Sequence, residues 1–337
     1  MDVLKSFRLI PCALVLVVGC GTSSETSGPD AGLAVLDSET PQDAHRAAGD
    51  DVAAWAPRSE AAQSFWDAFV RHDTAQLAAV IADLEAASEA DSTDAEVVLL
   101  LGLAYLWELS QIDTNDATQM LAAGQASMQS ISYLEEAVAL APTDFRINAW
   151  LGVLKLRMGQ ALGNQDILDE GTAILDEGVA NYPEFNLFSR SLVAAMAPAN
   201  DPEYQEAVEA VFSNMDECVE DTVDRANPDL APYMDQFTRS GGKRVCWNAP
   251  RALHNLEGAS LFFGDILVKN GDVAAGIIAY NNAKLSPDFA SWDFAELLTS
   301  RLDEAEERAA MFGDDDDTND PESIWSSPLQ CAVCHND

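Results

Sequence analysis

Apolar residues recur at helical spacing from about residue 61 to residue 312, and nowhere do polar and apolar side chains alternate for long enough to build a sheet. Phe65, Phe69, Leu77, Val80, Ile81 and Leu84 carry this period at the start of the region. A chain patterned in this way belongs to the all-α class, because each amphipathic helix must bury one face against a neighbour. The segment 256–289, LEGASLFFGDILVKNGDVAAGIIAYNNAKLSPDF, points more narrowly to paired helices. In it Gly264 admits a close helix approach, Gly271 turns the chain, Tyr280 and Ala283 set large against small on the second helix, and Pro287 ends it.

Weaker versions of the unit precede it. Leu101-Gly102 with Tyr105, then Leu134, Ala137 and Pro142, take the same positions around the insertion SQIDTNDATQMLAAGQ. Trp150-Leu151-Gly152 with Leu175, Gly178 and Pro183 form another around LGNQDILDE, and Phe185 to Val219 supplies a degenerate pair. A helix pair of about 34 residues built like this resembles the tetratricopeptide repeat. The resemblance implies a tetratricopeptide-like α-solenoid of antiparallel helix pairs over 61–312, with a concave surface suited to a protein or peptide and a closing helix from Trp292 to Phe312. Trp66, Trp107, Trp150 and Trp292 are expected to pack between its helices.

Residues 1–19 read as an export signal: Lys5 and Arg8, the apolar run Leu9 to Val18, then Gly19 before Cys20. The run is too short to span a bilayer. Val17-Val18-Gly19-Cys20 resembles the lipobox of bacterial lipoproteins. That resemblance implies cleavage before Cys20, acylation of its thiol, and residence in the cell envelope through the lipid anchor. Gly21 at the following position favours the outer membrane, facing the periplasm. An ordinary secretory signal is the alternative. Residues 20–60, rich in Ser, Thr, Gly, Ala, Asp and Pro, form a flexible tether with on the order of 35 Å of reach, and Trp55 is expected to dock on the folded region.

Charge limits the partners. With 57 Asp and Glu against 18 Lys and Arg, a formal net charge of −39, the chain repels nucleic-acid backbones and anionic lipid headgroups. Dissolved salt would relieve the self-repulsion by screening.

Of six cysteines, Cys12 leaves with the signal and Cys20 takes the lipid, so Cys218, Cys246, Cys331 and Cys334 remain. An even remainder in an exported chain suggests pairing. Cys218 and Cys246 flank the Pro- and Gly-containing excursion RANPDLAPYMDQFTRSGGKR and are expected to form a disulfide, with two buried thiols as the alternative.

Cys331-Ala332-Val333-Cys334-His335 resembles the attachment motif of c-type cytochromes. That resemblance implies haem c, held by thioethers from Cys331 and Cys334, with His335 as the proximal ligand of the haem iron. An acidic surround would lower its potential by stabilising the oxidised iron. His254, sharing a helix face with Glu257, is the first candidate for the second axial ligand, and Met311 the next; His72 and His45 are expected to be distant and exposed. Trp325 and Leu329 are placed to shield one haem face. A local Cys331–Cys334 disulfide, or a zinc site of Cys331, Cys334, His335 and one further ligand, are the other readings of the motif. Residues 313–337 form an acidic hinge and tail, in which Asp314 to Asp317, Asn319, Asp320 and Glu322 lack the Gly-turned spacing of a calcium loop.

Walker loops, G-x-S-x-G elbows and H-E-x-x-H motifs are missing from the sequence, so the chain is expected not to be an enzyme. Two functions stand: a lipid-anchored redox protein presenting one haem to a redox partner in the envelope, or a non-redox envelope adaptor that binds a protein or peptide through its repeats.

Overall fold

A computed structural model describes residues 57–337, apart from 113–115, 117, 315, 317, 328 and 337. The export signal, Cys20, His45 and Trp55 therefore lie outside the described residues.

The fold is all-α, a stack of packed antiparallel helix pairs, with no strand among the described residues. Helix α1 (Glu60–Val70) packs on α2 (Leu77–Ala90). Four pairs follow: α3 (Ala95–Ser110) with α4 (Met120–Leu140), α5 (Arg146–Leu162) with α6 (Gln165–Asn181), α7 (Pro183–Ala194) with α8 (Tyr204–Val219), and α9 (Asn255–Lys269) with α10 (Val273–Asn282). These are the four units anticipated from the Gly, aromatic and Pro positions.

Local chemistry sets the helix ends. The Ser59 hydroxyl accepts from the Ala62 amide at 3.1 Å, Asp94 caps α3 through the Glu96 and Val97 amides, and Asn164 caps α6 in the same manner. Pro183 opens α7, where a missing amide hydrogen costs nothing. Gly271, at φ 86°, turns the chain between α9 and α10. At Gly264 the pair closes so tightly that a Cβ would lie 2.1 Å from the Tyr280 ring, and Gly102 and Gly152 face Leu134 and Leu175 in the same way.

Two apolar cores result, one over 61–154 and the other over 195–334. The expected single closing helix is two: α11 (Ala295–Asp303) and α12 (Ala305–Phe312), broken at Glu304. The break brings Arg301 and Arg308 together over Asp265, from which they lie 3.1 and 3.9 Å. Between α8 and α9 the chain forms only short 3₁₀ turns, and the Cys218–Cys246 disulfide closes this excursion. No helix among the described residues is long and apolar enough to cross a membrane.

Candidate functional site

The carboxyl-terminal tail is not a free hinge. It folds back across the stack and is tied down at four levels. Glu322 accepts through its carbonyl from Arg301 at 3.0 Å and Arg308 at 2.8 Å. The Ile324 amide donates to Asp265, which is 1% exposed and also accepts from the Tyr280 hydroxyl at 2.6 Å. The Trp292 indole donates to the Val333 carbonyl at 2.8 Å. The His254 amide donates to the Cys334 carbonyl at 3.1 Å. Asp314 and Asp316, by contrast, stay exposed and bond within their own turn.

The docked motif forms a helical turn, with the Cys334 and His335 amides both donating to the Cys331 carbonyl. Cys331, Cys334 and His335 all line one cavity of about 2020 Å³. The first helix of every pair, α3, α5, α7 and α9, contributes to the lining, while α6 and α10 contribute nothing. This is the inner side of the stack. Trp66, Trp107 and Trp150 line the cavity rather than serving packing alone, and the Trp66 and Trp107 indole nitrogens are buried without partners. Trp292 is core and ties down the tail. Trp325 also lines the cavity, whereas Leu329 is exposed and does not.

His335 is positioned by two parts of the chain far apart in sequence. Its Nδ1 donates to the Arg251 carbonyl, and the Phe69 ring of α1 lies 4.6 Å from the imidazole. The residue before this carbonyl's turn is pinned by the Ala249–Ala252 bridge, and the Arg251 guanidinium sits 4.0 Å over the Trp66 ring and 3.9 Å from Glu96. Burial lowers the His335 pKa to about 4, so the ring is neutral near pH 7. No described residue takes its Nε2. A neutral imidazole whose Nδ1–H is fixed by a carbonyl, leaving Nε2 available, is the arrangement metal-ligating histidines show.

Cys331 and Cys334 are both free thiols, so the local disulfide is not formed. Burial pushes the Cys331 thiol up to about 11, against a lowering by the Ser110 hydroxyl and Arg157; Cys334 is pushed up further. Zinc would need thiolates and a converging donor set. Among the described residues no group of three His, Cys, Asp or Glu side chains is arranged to hold a metal ion.

His254 is where the sequence expectation changes. It is 3% exposed, its Nδ1 is 3.1 Å from Glu257, and it is absent from the cavity lining. His254 is the N-cap of α9 and Glu257 lies in its first turn, which brings ring and carboxylate together outside the cavity, and the residue instead positions the tail through its backbone. Met311 is also away from the cavity. His72, expected to be exposed, has its Nδ1 buried without a partner, stands 6.0 Å from the Trp107 ring, and acts electrostatically on His335.

A c-type haem requires two unpaired thiols, a neutral imidazole beside them, an apolar slot and a counter-charge for its carboxylates. The first three are present in residues already named, and the cavity exceeds the ~300–1,000 Å³ of ordinary ligand pockets. The orphaned indoles and His72 line or adjoin the same space. The residues therefore fit the group.

Sequence reasoning missed Phe69, Ser110, Arg157, Arg251 and Gly258, all of which surround the motif. Only Arg157 carried a local signal, a base inside the apolar helix stretch of a base-poor chain. Gly258 gives space to Cys334: a Cβ there would lie 2.2 Å from its sulfur and 3.0 Å from the Val333 carbonyl oxygen. Gly258→Ala should destabilise by about 1–3 kcal/mol through overpacking. It should also speed alkylation of Cys334 in haem-free protein; an unchanged labelling rate and stability would show that the contact does not hold the tail.

No protein-family model matches this chain, and neither a curated protein nor a solved structure matches it.

Proposed function

We propose that this protein is a lipid-anchored envelope haem protein, carrying one c-type haem on Cys331 and Cys334 with His335 as iron ligand, and acting in electron transfer or redox sensing. The observation that carries the reading is the Nδ1 bond from His335 to the Arg251 carbonyl beside two free thiols on one cavity. When bound, the haem supplies a one-electron couple at its iron. The chain's own residues attach and orient it: the tail bonds to α9 and Trp292 hold the motif in place, and the aromatic wall of Phe69, Trp66 and Trp107 keeps water from it. The lipobox-like VVGC supports a lipid anchor at Cys20, and the acidic composition suits a redox partner with a basic face.

The adaptor reading keeps one supporting observation. Met128, Leu162 and Met196 are exposed apolar residues on the rim of a cavity larger than ordinary ligand pockets. Expression together with a cytochrome c maturation system separates the two. The redox reading expects a Soret band and a covalent mass increment of one haem, lost when Cys331 and Cys334 are replaced by Ser. Wild-type protein matured in this way without covalent haem would sink it in favour of the adaptor.

A further inference from the structure

We propose that Arg157 is the anion-binding residue of this cavity, pairing with a carboxylate of the bound porphyrin, a haem propionate. The inference rests on the haem reading and deepens it by naming what orients the group apart from the Cys-Cys-His motif.

Arg157 lies on α5, and it lines the cavity among Val153, Leu154, Met158 and Ala161. Its Nε is buried and bonded to nothing. Neither a carboxylate nor any other described residue forms an ion pair or hydrogen bond with its guanidinium; its one electrostatic companion is the Cys331 thiol. This is unusual in a chain with 57 acidic residues and 18 basic ones, where a cation without an acidic neighbour is the exception. The other basic residues nearby show the contrast. Lys155, two positions earlier, bridges Glu135 at 2.5 Å and Glu170 at 2.7 Å, and Arg251 lies 3.9 Å from Glu96.

A guanidinium stays charged in proteins, and Arg157 is half-buried with its Nε withdrawn from water and unpartnered, a partial desolvation that an anion in the cavity would offset. An apolar wall that keeps such a group therefore suits a ligand bringing its own carboxylate. Arg offers two parallel N–H donors to a carboxylate, fixing orientation as well as adding attraction. A planar, mostly apolar molecule with acid groups at one edge meets both demands: its body lies against the aromatic and aliphatic lining, and its acid edge meets Arg157.

The test uses full-length protein prepared without haem, and mesoporphyrin IX, whose ethyl groups cannot form thioethers, beside its dimethyl ester. Binding is read by quenching of tryptophan fluorescence. Wild-type protein is expected to bind the diacid about tenfold or more tightly than the ester, the scale of one charge-assisted hydrogen bond. Arg157→Gln should remove that preference while leaving ester binding unchanged, which also shows that the variant is folded, and Arg157→Lys should keep part of it. A preference that survives in Arg157→Gln, or none in the wild type, overturns the assignment and leaves the haem reading standing. Failure of wild-type protein to bind either porphyrin overturns both.

Discussion

Replacing Asp265 with Ala should cost about 3–5 kcal/mol of stability and release the carboxyl-terminal tail. This carboxylate is almost fully buried and receives the Tyr280 hydroxyl at 2.6 Å and the Ile324 amide at 3.1 Å. Arg301 and Arg308 approach it from the break between α11 and α12. Truncation leaves two buried guanidinium groups facing each other without their shared counter-ion, and frees the amide that starts the tail's return path. Asp265→Asn keeps the volume and one acceptor oxygen, so its cost should be smaller. Urea unfolding gives the stability change, and carboxypeptidase digestion of haem-free protein reports the tail. An Asp265→Ala protein within about 1 kcal/mol of wild type, with its tail still protected, would show that the cluster does not fasten the motif.

Removal of the Cys218–Cys246 disulfide by double Ala substitution should lower stability by about 3–4 kcal/mol. The bridge closes a separation of 28 residues, and its main effect in the chain-entropy account is to restrict the unfolded chain. The enclosed excursion has little regular structure, and side-chain bonds fasten it instead. Asn282 accepts from the Leu230 amide and donates to the Pro228 carbonyl, while Lys243 donates to the Glu217 carbonyl. Cys246 also begins the stretch that presents the Arg251 carbonyl to His335. Loss of the bridge should therefore loosen the His335 contact as well as lower the urea midpoint. A midpoint unchanged by the double substitution would mean that these side-chain bonds suffice.

The helix pairs were legible because their signals are local. An N-cap such as Asp94, a stop such as Pro183 and a close-approach glycine such as Gly264 each act within a few residues or across one hairpin. Cys331, Cys334 and His335 were legible for the same reason, as thiols and an imidazole in five consecutive positions. His254 as second axial ligand does not agree with the structure: spacing shows that it shares a face with Glu257, but not that its ring lies outside the cavity lined by Cys331, Cys334 and His335. The split of the closing helix at Glu304 was equally invisible, since Arg301 and Arg308 continue a helical pattern whose interruption serves a carboxylate on α9.

By itself the sequence determined the all-α class, the positions of the pairs, the Cys218–Cys246 closure and the five-residue motif. Tertiary structure alone decided where that motif lies. Phe69, Ser110, Arg157, Arg251 and Gly258 reach it from α1, α3, α5, a loop and α9, at separations no local pattern can encode. They meet because stacking pairs bury one face of each helix and leave the first helices of successive pairs lining a common inner side, against which the tail can only dock once the stack is complete.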